Sequence, residues 1–425
     1  MTTAACTIVS KNYWAYARTL AASIKRQHPD MEVFVLLADE IQEEEALEQE
    51  EFTLISLADL SVTGMDTLCF KYNITELNTA LKPFLLDYLL EKKEIDKLIY
   101  FDPDILVLQS LQPLETWLDD HCILLTPHIV EPMEMDGFHP NETTFLQSGS
   151  YNLGFIAMKK HPEVQKFLAW WQKRLRSYCY VEPYRGLFVD QKWLDLAPVF
   201  FKGVYSIPSK AYNVAYWNLH EREIVEKNNA LYIGEDPLVF YHFSGFDYDL
   251  RTISNKQNRY SALPTSLHSL FTRYKENLTS FGYHDTRRRP FTFLHDQKGR
   301  KISLTHRQLF RLLLDAGNDY EDPFGRCGEG FLDKLNATVG PSNIPWLFYE
   351  LLKHESEVET RFSNVLTESG DEFLGWAKFT LQAEYHLSFD FISWCMRETQ
   401  RTSEYAHPFG IYKQLKEEIN PWSKE

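Results

Sequence analysis

The stretch KLIYFDPDILVL, residues 97–108, consists of two apolar runs separated by Asp102-Pro103-Asp104. A short apolar run of this kind predicts a buried strand, which here ends at Asp102. In an extended backbone, residues i and i+2 point to the same side, so the two carboxylates would lie side by side at the strand end. Mn²⁺ or Mg²⁺ is commonly held by such a pair together with phosphates of a ligand. A solvated turn is the alternative for this D-x-D pattern taken alone.

The preceding residues predict an α/β fold of the nucleotide-binding kind. Residues 5–10 and 31–38 are apolar runs on either side of a helical pattern at 13–26, which predicts a βαβ unit with a parallel sheet. A helical stretch follows over residues 75–93, where Pro83 predicts either a kink or the start of a helix. A nucleotide would bind at the carboxyl ends of the strands.

The following residues predict further strands and a second ligand group. We expect a strand over 148–159, a helix over 162–178, and a helix that opens near Asp190 in FVDQKWLD. The apolar run at residues 238–241 leads directly into the segment HFSG, which begins with His242. An imidazole at a strand end can complete the shell of a cation and favours Mn²⁺ over Mg²⁺. A hydrogen-bonded core histidine is the alternative.

Length and the stretch TRRRP (residues 286–290) predict two domains. At 425 residues the chain exceeds the size at which a single hydrophobic core stops growing. We expect a catalytic domain over residues 1–285 and a mainly helical accessory domain over 286–425. The helical patterns of the second domain carry no charge constellation that indicates chemistry.

Composition excludes some partners and indicates a compartment. A formal charge of −16 argues against nucleic acid, whose binding needs a basic surface. The six cysteines form no C-x-x-C pair, which favours a reducing cytoplasm. No signal peptide and no apolar run long enough for a transmembrane segment is found. The arginines at 287–289 could touch an anionic lipid surface at the inner face of the membrane, with a solvated linker as the alternative.

Four segments, in this order, resemble motifs of the GT-A fold glycosyltransferases, specifically family 8, which includes glycogenin and bacterial lipopolysaccharide galactosyltransferases. They are IYFDPDILV, YNLGFIAM, FVDQKWLD and HFSG, and the likeness spans about residues 4–250. The chain is also similar to a group of bacterial polysaccharide-biosynthesis glycosyltransferases through TALKPFLLDYLL, GLFVDQKWLDLAPVFF, YNVAYWNLHER and VFYHFSGFD. The resemblance implies a GT-A fold, a Rossmann-like mixed sheet flanked by helices.

The resemblance also implies an activity and a donor site. The expected reaction is transfer of a sugar from a nucleotide-diphosphate sugar, with a UDP-sugar favoured, to a glycan, lipid-linked or protein acceptor in polysaccharide or glycoconjugate biosynthesis. By resemblance, the cation is held by Asp102, Asp104 and His242. The implied donor-binding residues are Ser10, Asn12, Asp39, Lys82, Asp102, Asp104 and Gly245. For Lys82, an ordinary lysine on a helix surface is the alternative.

The residues implied around the transferred sugar are Gln191, Asp190 and Asn152. The family pattern together with the lack of an obvious general base favours retention of anomeric configuration, because inversion by direct displacement requires such a base. Asp247 and Glu221 are the candidate bases if transfer inverts. For the acceptor we single out Trp217, Asn218 and His220, which precede HFSG.

One departure from family 8 concerns the phosphate-binding lysine. The family ending His-x-x-G-x-x-Lys-Pro-Trp is HFSGFDYDL here, so this lysine is missing, and Arg251, Lys256 or Arg259 could replace it. Other classes remain open: a non-catalytic glycan-binding or scaffolding protein on the same fold, a nucleotide-sugar hydrolase, or a sugar-1-phosphate nucleotidyltransferase. The last of these usually has a glycine-rich basic loop near its N-terminus, which residues 4–26 lack. Rossmann G-x-G-x-x-G and P-loop patterns are absent as well.

Overall fold

The computed structural model describes residues 2–40, 50–228, 230–335, 337–341, 343–367, 370–385, 387, 392, 393 and 395. The chain forms two compact units. The first unit consists of residues 1–63 and 74–292, and the second consists of residues 64–73 and 293–425. The boundary between Thr292 and Phe293 lies a few residues beyond the expected one, and the short segment 64–73 joins the second unit although it is distant in sequence.

The strands of the described residues, in chain order, are β1 (Thr3–Val9), β2 (Glu32–Leu37), β3 (Thr53–Ile55), β4 (Lys97–Phe101), β5 (Ile105–Val107), β6 (Ile123–Pro127), β7 (Tyr151–Lys159), β8 (Val181–Glu182), β9 (Leu187–Phe188), β10 (Val204–Ser206), β11 (Ile224–Lys227), β12 (Ala230–Ile233), β13 (Asp236–Pro237), β14 (Phe240–His242), β15 (Thr338–Val339) and β16 (Ile344–Pro345).

The α-helices of the same residues are α1 (Trp14–Gln27), α2 (Met65–Lys71), α3 (Ile74–Ala80), α4 (Lys82–Lys92), α5 (Gln112–Asp120), α6 (Glu142–Ser148), α7 (Pro162–Tyr178), α8 (Ala197–Phe200), α9 (His268–Ser280), α10 (Tyr283–Thr286), α11 (Leu304–Asp315), α12 (Phe331–Lys334), α13 (Trp346–Leu352), α14 (Ser356–Thr360) and α15 (Gly370–Ala383). Among the described residues, no helix combines the length and the apolarity that crossing a bilayer requires.

A seven-stranded mixed sheet organises the first unit, in the order β10-β6-β7-β4-β1-β2-β3. Strand β1 pairs in parallel with β2 and β4, which gives the predicted βαβ arrangement. Strand β7 runs antiparallel to both β4 and β6 and makes the sheet mixed. The expected fold class, a mixed α/β sheet flanked by helices, is confirmed.

Apolar side chains from strands and helices form a core cluster beside this sheet. Val33 and Ile99 from the strands pack with Leu20 of α1 and Leu114 of α5, and all four are nearly or fully buried. Full burial of such a side chain contributes about 1.5–3 kcal/mol. The strands are apolar without strict alternation, as expected where both faces of a parallel sheet are covered.

The structure shows the outcome of two predictions about helices, one at Pro83 and one near Asp190. Pro83 lies in the first turn of α4, which is separated from α3 by Leu81 alone, so the proline marks a helix start and also interrupts the predicted helical stretch. The helix expected to open near Asp190 is instead a 3-10 turn (Lys192–Leu196) followed by the four-residue α8. Pro198 has no backbone N–H and cannot continue the hydrogen bonding of the preceding turn, so the helical stretch stays in two short pieces.

The second unit is held together by a buried aromatic group and a buried arginine. The ring of Phe70 from α2 contacts Phe310, Phe324 and Phe331 at centroid distances of 4.7, 5.2 and 5.4 Å. Arg307, which is 2% exposed, donates to the carbonyl oxygens of Cys69 at 2.9 Å and Tyr72 at 2.6 Å. These contacts explain why residues 64–73 belong to this unit.

Candidate functional site

A cavity of about 620 Å³ opens in the first unit where the carboxyl ends of several strands meet. Ser10 follows β1, Asp102 follows β4, and His242 ends β14. Asn152 comes from β7 and Gln191 from the turn after β9. The position agrees with the rule that open α/β sheets bind ligands at the carboxyl ends of their strands.

The two predicted metal-binding motifs meet through the antiparallel pairing of β5 with β14. His242 lies opposite Ile105 in this pair, and the backbone N–H of Phe243 donates to the carbonyl oxygen of Asp104 at 2.8 Å. One donor atom each from Asp102, Asp104 and His242 therefore lie within 4.8 Å of one another. Nε2 of His242 is 3.1 Å from Oδ1 of Asp104. The set consists of two carboxylates and one imidazole.

Hydrogen bonds fix which nitrogen of His242 carries the hydrogen. The backbone N–H of Gly154 donates to Oδ1 of Asn152 at 3.1 Å, and Nδ2 of Asn213 donates to the same oxygen at 3.0 Å. Oδ1 of Asn213 is then left as the acceptor that faces Nδ1 of His242 at 3.2 Å. Nδ1 therefore carries a hydrogen, and Nε2, which faces Oδ1 of Asp104, is the nitrogen that a cation could bind.

Gly154 is the glycine of the segment YNLGFIAM, and its place is required by His242. A Cβ atom on Gly154 would lie 2.3 Å from Cε1 and 2.6 Å from Nδ1 of that imidazole. Neither distance is possible for real atoms, and the ring is 4% exposed with little room to move. A side chain at position 154 would therefore displace the imidazole from the carboxylates.

Lys82 lies at the start of α4 and is 1% exposed, which excludes the alternative of a helix-surface lysine. Its Nζ donates to the carbonyl oxygen of Leu153 at 2.7 Å and lies 2.8 Å from Asp190 and 3.2 Å from Asp102. Burial acts to lower the pKa of Lys82, but the two carboxylates outweigh it and raise the pKa above its ordinary value. The ammonium group thus links the metal-binding motif to the D-Q motif.

Three carboxylates (Asp102, Asp104 and Asp190) face two lysines (Lys82 and Lys256) in the cavity lining. A diphosphate entering such a site would meet net negative charge. A bound divalent cation would remove this obstacle, since it is the largest local charge in a site of this kind. The charge balance therefore fits a cation and a phosphorylated ligand bound together.

Lys256 is the one of the three candidate replacement cations that lines the cavity. Its Nζ donates to Oγ of Ser244 at 3.1 Å. Arg251 has a side chain that is 77% exposed and pairs with Asp247, while Arg259 pairs with Asp136. Of these three candidates, Lys256 is thus the one whose ammonium group lies beside the HFSG segment and the cavity.

The remaining predicted residues in the lining are Ser10, Asn12, Gln191 and Trp217. Oγ of Ser10 accepts from Asn78, and Nε2 of Gln191 donates to the carbonyl oxygen of Ser148, both at 2.8 Å. Oδ1 of Asn12 and Nε1 of Trp217 are buried without a hydrogen-bond partner among the described residues. Buried polar atoms are normally hydrogen-bonded, so these two atoms are available to a ligand.

Asp39, Asn218, His220 and Gly245 are not among the residues that line the cavity. Oδ1 of Asp39 accepts from the backbone N–H groups of Thr292 and Glu40, each at 3.0 Å. Asn218 is fully buried and bridges the backbone of its own loop to His128. His220 is half-buried, and burial lowers its pKa.

Gly245 positions the loop that follows it. Its φ of +69° suits glycine, and a Cβ atom there would lie 2.5 Å from Oγ of Ser254. The close approach brings Lys256 next to Ser244. Gly245 therefore influences the cavity indirectly, through the positions of Ser244 and Lys256.

Neither candidate base, Asp247 nor Glu221, lines the cavity. The carboxylate of Glu221 accepts from the backbone N–H groups of Val130 and Glu131 and pairs with Arg222 at 3.2 Å. Asp247 accepts from the N–H groups of Asp249 and Arg251. Both carboxylates hold loops in place.

Sequence reasoning assigned no role to Tyr13, Asn78, His128 or Asn213, although the first three line the cavity and Asn213 orients His242. Asn213 lies in the segment YNVAYWN, where its positive φ of +52° is a signal of function only once the backbone is known. Burial lowers the pKa of His128 to about 4, so this ring is neutral near pH 7. No sequence pattern distinguishes it from a core histidine.

No protein-family model matches the chain. Two proteins of Bacillus subtilis (strain 168), the uncharacterized proteins YfnF and YfnD, are similar in sequence. YfnF is 28% identical over 285 residues, which cover 65% of this chain and 92% of YfnF. YfnD is 26% identical over 247 residues, which cover 56% of this chain and 76% of YfnD.

Among solved structures, the chain is similar to the galactosyltransferase LgtC in complex with donor and acceptor sugar analogues. The identity is 20%, with 65% of this chain and 96% of that chain covered and a TM-score of 0.40. It is also similar to the glycosyltransferase GlyE of Streptococcus pneumoniae TIGR4, at 14% identity, 70% and 67% coverage and a TM-score of 0.40. Because these similarities are low, the function of this chain is inferred from the residues that line its own cavity.

Proposed function

We propose that the chain is a metal-dependent glycosyltransferase, which moves a sugar from a nucleotide-diphosphate sugar to a hydroxyl group of an acceptor. The observation that carries the proposal is the convergence of Asp102, Asp104 and His242 at one wall of a cavity whose lining also includes the buried Lys82–Asp190 pair. The first group suits a diphosphate with its cation, and the second offers charged, oriented partners to sugar hydroxyls. One cavity can thus take both halves of a nucleotide sugar.

The donor set fits a divalent cation. Carboxylate oxygens are ligands for both Mn²⁺ and Mg²⁺, and the imidazole favours Mn²⁺. Nε2 of His242 lies 3.1 Å from Oδ1 of Asp104, so both atoms could share one ion once the nitrogen is deprotonated. When bound, the ion would neutralise charge that builds on the departing diphosphate. We assign its binding to Asp102, Asp104 and His242.

Further phosphate and nucleoside contacts follow from the lining. Lys256 and Ser244 stand beside the proposed metal site and would bind a phosphate oxygen. Tyr13 is 40% exposed, so its ring offers a face on which a base can stack. Oδ1 of Asn12, buried and without a partner among the described residues, would accept a hydrogen bond from the nucleoside.

The transferred sugar would lie near Asp190, Gln191 and Asn152. Asp190 is 2% exposed and held by Lys82, so its carboxylate is oriented before a substrate arrives. Such preorganised groups stabilise charge that develops in the transition state without reorganisation. We place the carbonyl oxygen of the Gln191 side chain near the anomeric carbon, where it would stabilise positive charge.

Retention of configuration is the stereochemical outcome that we propose. Direct displacement with inversion needs a base near the acceptor hydroxyl. Among the described residues, the carboxylates in the lining are Asp102, Asp104 and Asp190, and these are assigned to the cation and to Lys82. The alternative bases Asp247 and Glu221 are hydrogen-bonded elsewhere. NMR of the linkage formed is the direct test, and an inverted anomeric centre would refute retention.

The acceptor is a glycan, a lipid-linked sugar or a protein, and the pathway is polysaccharide or glycoconjugate biosynthesis. Trp217 lines the cavity with an indole N–H that has no partner among the described residues, and its ring faces His242 at 5.2 Å. An aromatic ring with a polar handle suits a sugar. Trp217 is therefore the acceptor contact that we retain from the three predicted ones.

A screen of nucleotide sugars against the purified protein tests the activity. With Mn²⁺ present, at least one nucleotide-diphosphate sugar should raise the melting temperature, since a ligand that binds only the folded state stabilises it by mass action. EDTA should abolish the shift, and Asp102→Asn should lose it. If no nucleotide sugar binds in Mn²⁺, the proposal fails. Release of sugar to water that no acceptor suppresses would favour a nucleotide-sugar hydrolase instead.

A further inference from the structure

An aromatic surface lies next to the cavity but outside it. Trp170 of α7 contacts Trp193, Phe200 and Phe201 at ring centroid distances of 6.3, 5.9 and 5.5 Å. The outer edge of this group is open to solvent, where Phe200 is 53% and Val199 is 75% exposed. We call the group formed by Trp170, Trp193, Leu196, Val199, Phe200 and Phe201 the α7 surface.

Basic side chains surround the α7 surface. At 100° per residue, Lys166, Lys173 and Arg174 lie within about 60° of Trp170 on the face of α7. The guanidinium of Arg174 lies over the indole of Trp170, 5.9 Å from the ring centroid. Lys192 precedes Trp193 in the 3-10 turn, and Lys202 follows Phe201.

Acidic side chains are fewer beside the α7 surface, and they pair with lysines. Glu163 pairs with Lys166 at 3.1 Å and accepts from the backbone N–H of Lys202, while Asp195 pairs with Lys192 at 2.8 Å. These pairs leave Lys173 and Arg174 beside Trp170, and Lys202 beside Phe201, as the excess positive charge. The surface as a whole is cationic.

The side of α7 that faces away from Trp170 contacts acidic side chains. Gln165 donates to Glu91 at 2.9 Å, and Gln172 donates to Asp87 at 3.1 Å, so the acidic side chains of α4 contact the far face of the helix. Residues 159–202 contain nine Lys or Arg and four Asp or Glu, in a chain of formal charge −16. Five of these nine basic residues, Lys166, Lys173, Arg174, Lys192 and Lys202, lie on the Trp170 face of α7 or directly beside Trp193 and Phe201 in the chain.

We propose that the α7 surface docks on an anionic lipid membrane. Tryptophan and phenylalanine that insert at the headgroup level, ringed by lysine and arginine, are the composition that binds such an interface. The negative surface potential of anionic lipids attracts nearby basic side chains. Charge complementarity selects this partner over a neutral surface, and long basic side chains can lay their stems along apolar rings.

Docking in this way has a consequence for substrate access. Lys192 and Trp193 directly follow Gln191, which lines the cavity, and Val181 is both 45% exposed and part of the lining. Membrane contact through the α7 surface would therefore bring the segment that carries Gln191 close to the headgroups, where a lipid-linked acceptor presents its sugar. The docking itself requires no donor, no cation and no turnover, so its test is independent of the proposed function.

Co-sedimentation of the full chain with vesicles tests the docking. Vesicles of phosphatidylglycerol and phosphatidylcholine in equal parts should pellet the protein, and pure phosphatidylcholine vesicles should not. Lys173→Ala combined with Arg174→Ala should lower the partition coefficient about thirtyfold. Val199→Ser combined with Phe200→Ser should lower it by at least about tenfold, which corresponds to partial burial of the two side chains. High salt should weaken binding, since exposed charges are screened.

Matched controls use the other basic run and another exposed apolar side chain. Arg287→Ala with Arg288→Ala, and Val225→Ser separately, should leave vesicle binding within twofold of the unmodified protein. Unchanged melting temperatures show that all variants are folded. The proposal is overturned if the protein ignores anionic vesicles, if the Arg287 and Arg288 variant loses as much binding, or if neutral vesicles bind equally. A dimer in sedimentation equilibrium that Phe200→Ser dissociates would instead assign the surface to a second copy of the chain.

Discussion

At the scale of single residues, the orientation of His242 depends on a backbone group that cannot rotate. The N–H of Gly154 determines which way the Asn152 amide faces, and that amide determines the orientation of Asn213. Asn213 in turn holds the hydrogen of His242 on Nδ1. Partners of this kind usually matter to metal affinity because they fix the tautomer and the direction of the ligand.

Removing the Asn213 side chain should therefore weaken the cation site. Asn213→Gly keeps a residue that tolerates the φ of +52° and takes away the acceptor for His242. We expect Mn²⁺ affinity to fall about 10- to 100-fold, measured by electron paramagnetic resonance titration of the free ion. Thr126→Val is the control, because it removes another partner of Asn213 and leaves the acceptor in place. Equal Mn²⁺ affinities for Asn213→Gly and the unmodified protein would refute this role.

Gln191 should affect the chemical step more than donor binding. Gln191→Ala is expected to lower kcat by one to a few powers of ten, at about 1.4 kcal/mol for each tenfold, because the carbonyl oxygen is assigned to the transition state. The dissociation constant for the donor should stay nearly the same. Asp102→Asn is the comparison, and it should weaken donor and Mn²⁺ together. If Gln191→Ala instead raises the donor dissociation constant by as much as it lowers kcat, the residue binds the ground state.

The sequence predicts the candidate metal ligands from their residue types, but it does not predict the residues that hold those ligands in place. Asp102, Asp104 and His242 could be predicted because carboxylates and imidazole at strand ends have a recognisable chemistry. Asn213 and Gly154 could not be assigned roles, since their importance comes from a φ value and from the space that an imidazole occupies. Asp39 illustrates the reverse case: it closely follows β2, as expected, but its Oδ1 accepts from the backbone of Thr292, 253 residues away.

At the scale of elements, the cation site depends on the register of two three-residue strands. Pairing of β5 with β14 sets His242 opposite Ile105, next to Asp104. A slip of one residue would turn the imidazole to the other face of the pair. Both strands could be predicted from their apolar runs. Their pairing could not, because it joins segments about 135 residues apart and no local pattern specifies the partner.

The buried pair Glu221–Arg222 ties together two loops near the cavity. Glu221 accepts from the N–H groups of Val130 and Glu131, and Arg222 donates to the carbonyl oxygens of Lys210 at 3.1 Å and Tyr212 at 2.7 Å. Both side chains are 1% exposed. A buried cation that loses its counter-charge is costly, so the pair should act on stability.

Glu221→Gln should therefore destabilise the protein by about 3 kcal/mol, measured as the free energy of unfolding in urea. The amide keeps the shape of the side chain but leaves the Arg222 charge unpaired. Glu223→Gln, at an exposed neighbouring position, is the control and should change the free energy by less than about 0.5 kcal/mol. A kcat that collapses while the unfolding free energy stays unchanged would contradict the structural role and restore Glu221 as a candidate base.

At the scale of the whole molecule, the second unit recruits a segment from within the first part of the chain. Residues 64–73 contribute Phe70 to its aromatic core and carbonyl groups to Arg307. A prediction of domains from sequence places a single boundary, so it could find the helical region but not this excursion. We propose that the unit supports the catalytic unit or the acceptor and does no chemistry itself.

Truncation after Thr292 tests both statements. The truncated chain keeps residues 64–73 but loses Phe310, Phe324 and Phe331, which surround Phe70. A newly exposed phenylalanine forfeits about 1.5–3 kcal/mol of burial and presents an apolar surface. We expect the truncated chain to self-associate in size-exclusion chromatography, and a second version with residues 64–73 replaced by a glycine-serine linker to run as a monomer.

The linker version should also bind Mn²⁺ and the nucleotide sugar as the full chain does. The expectation follows because the residues that line the cavity all belong to the first unit, within 1–63 and 74–292. Isothermal titration of Mn²⁺, then of the donor, measures this, and Asp104→Asn in the linker version is the control that should abolish binding. Monomeric linker protein that binds neither ligand would show that the second unit contributes to the site, and the division of roles between the units would be wrong.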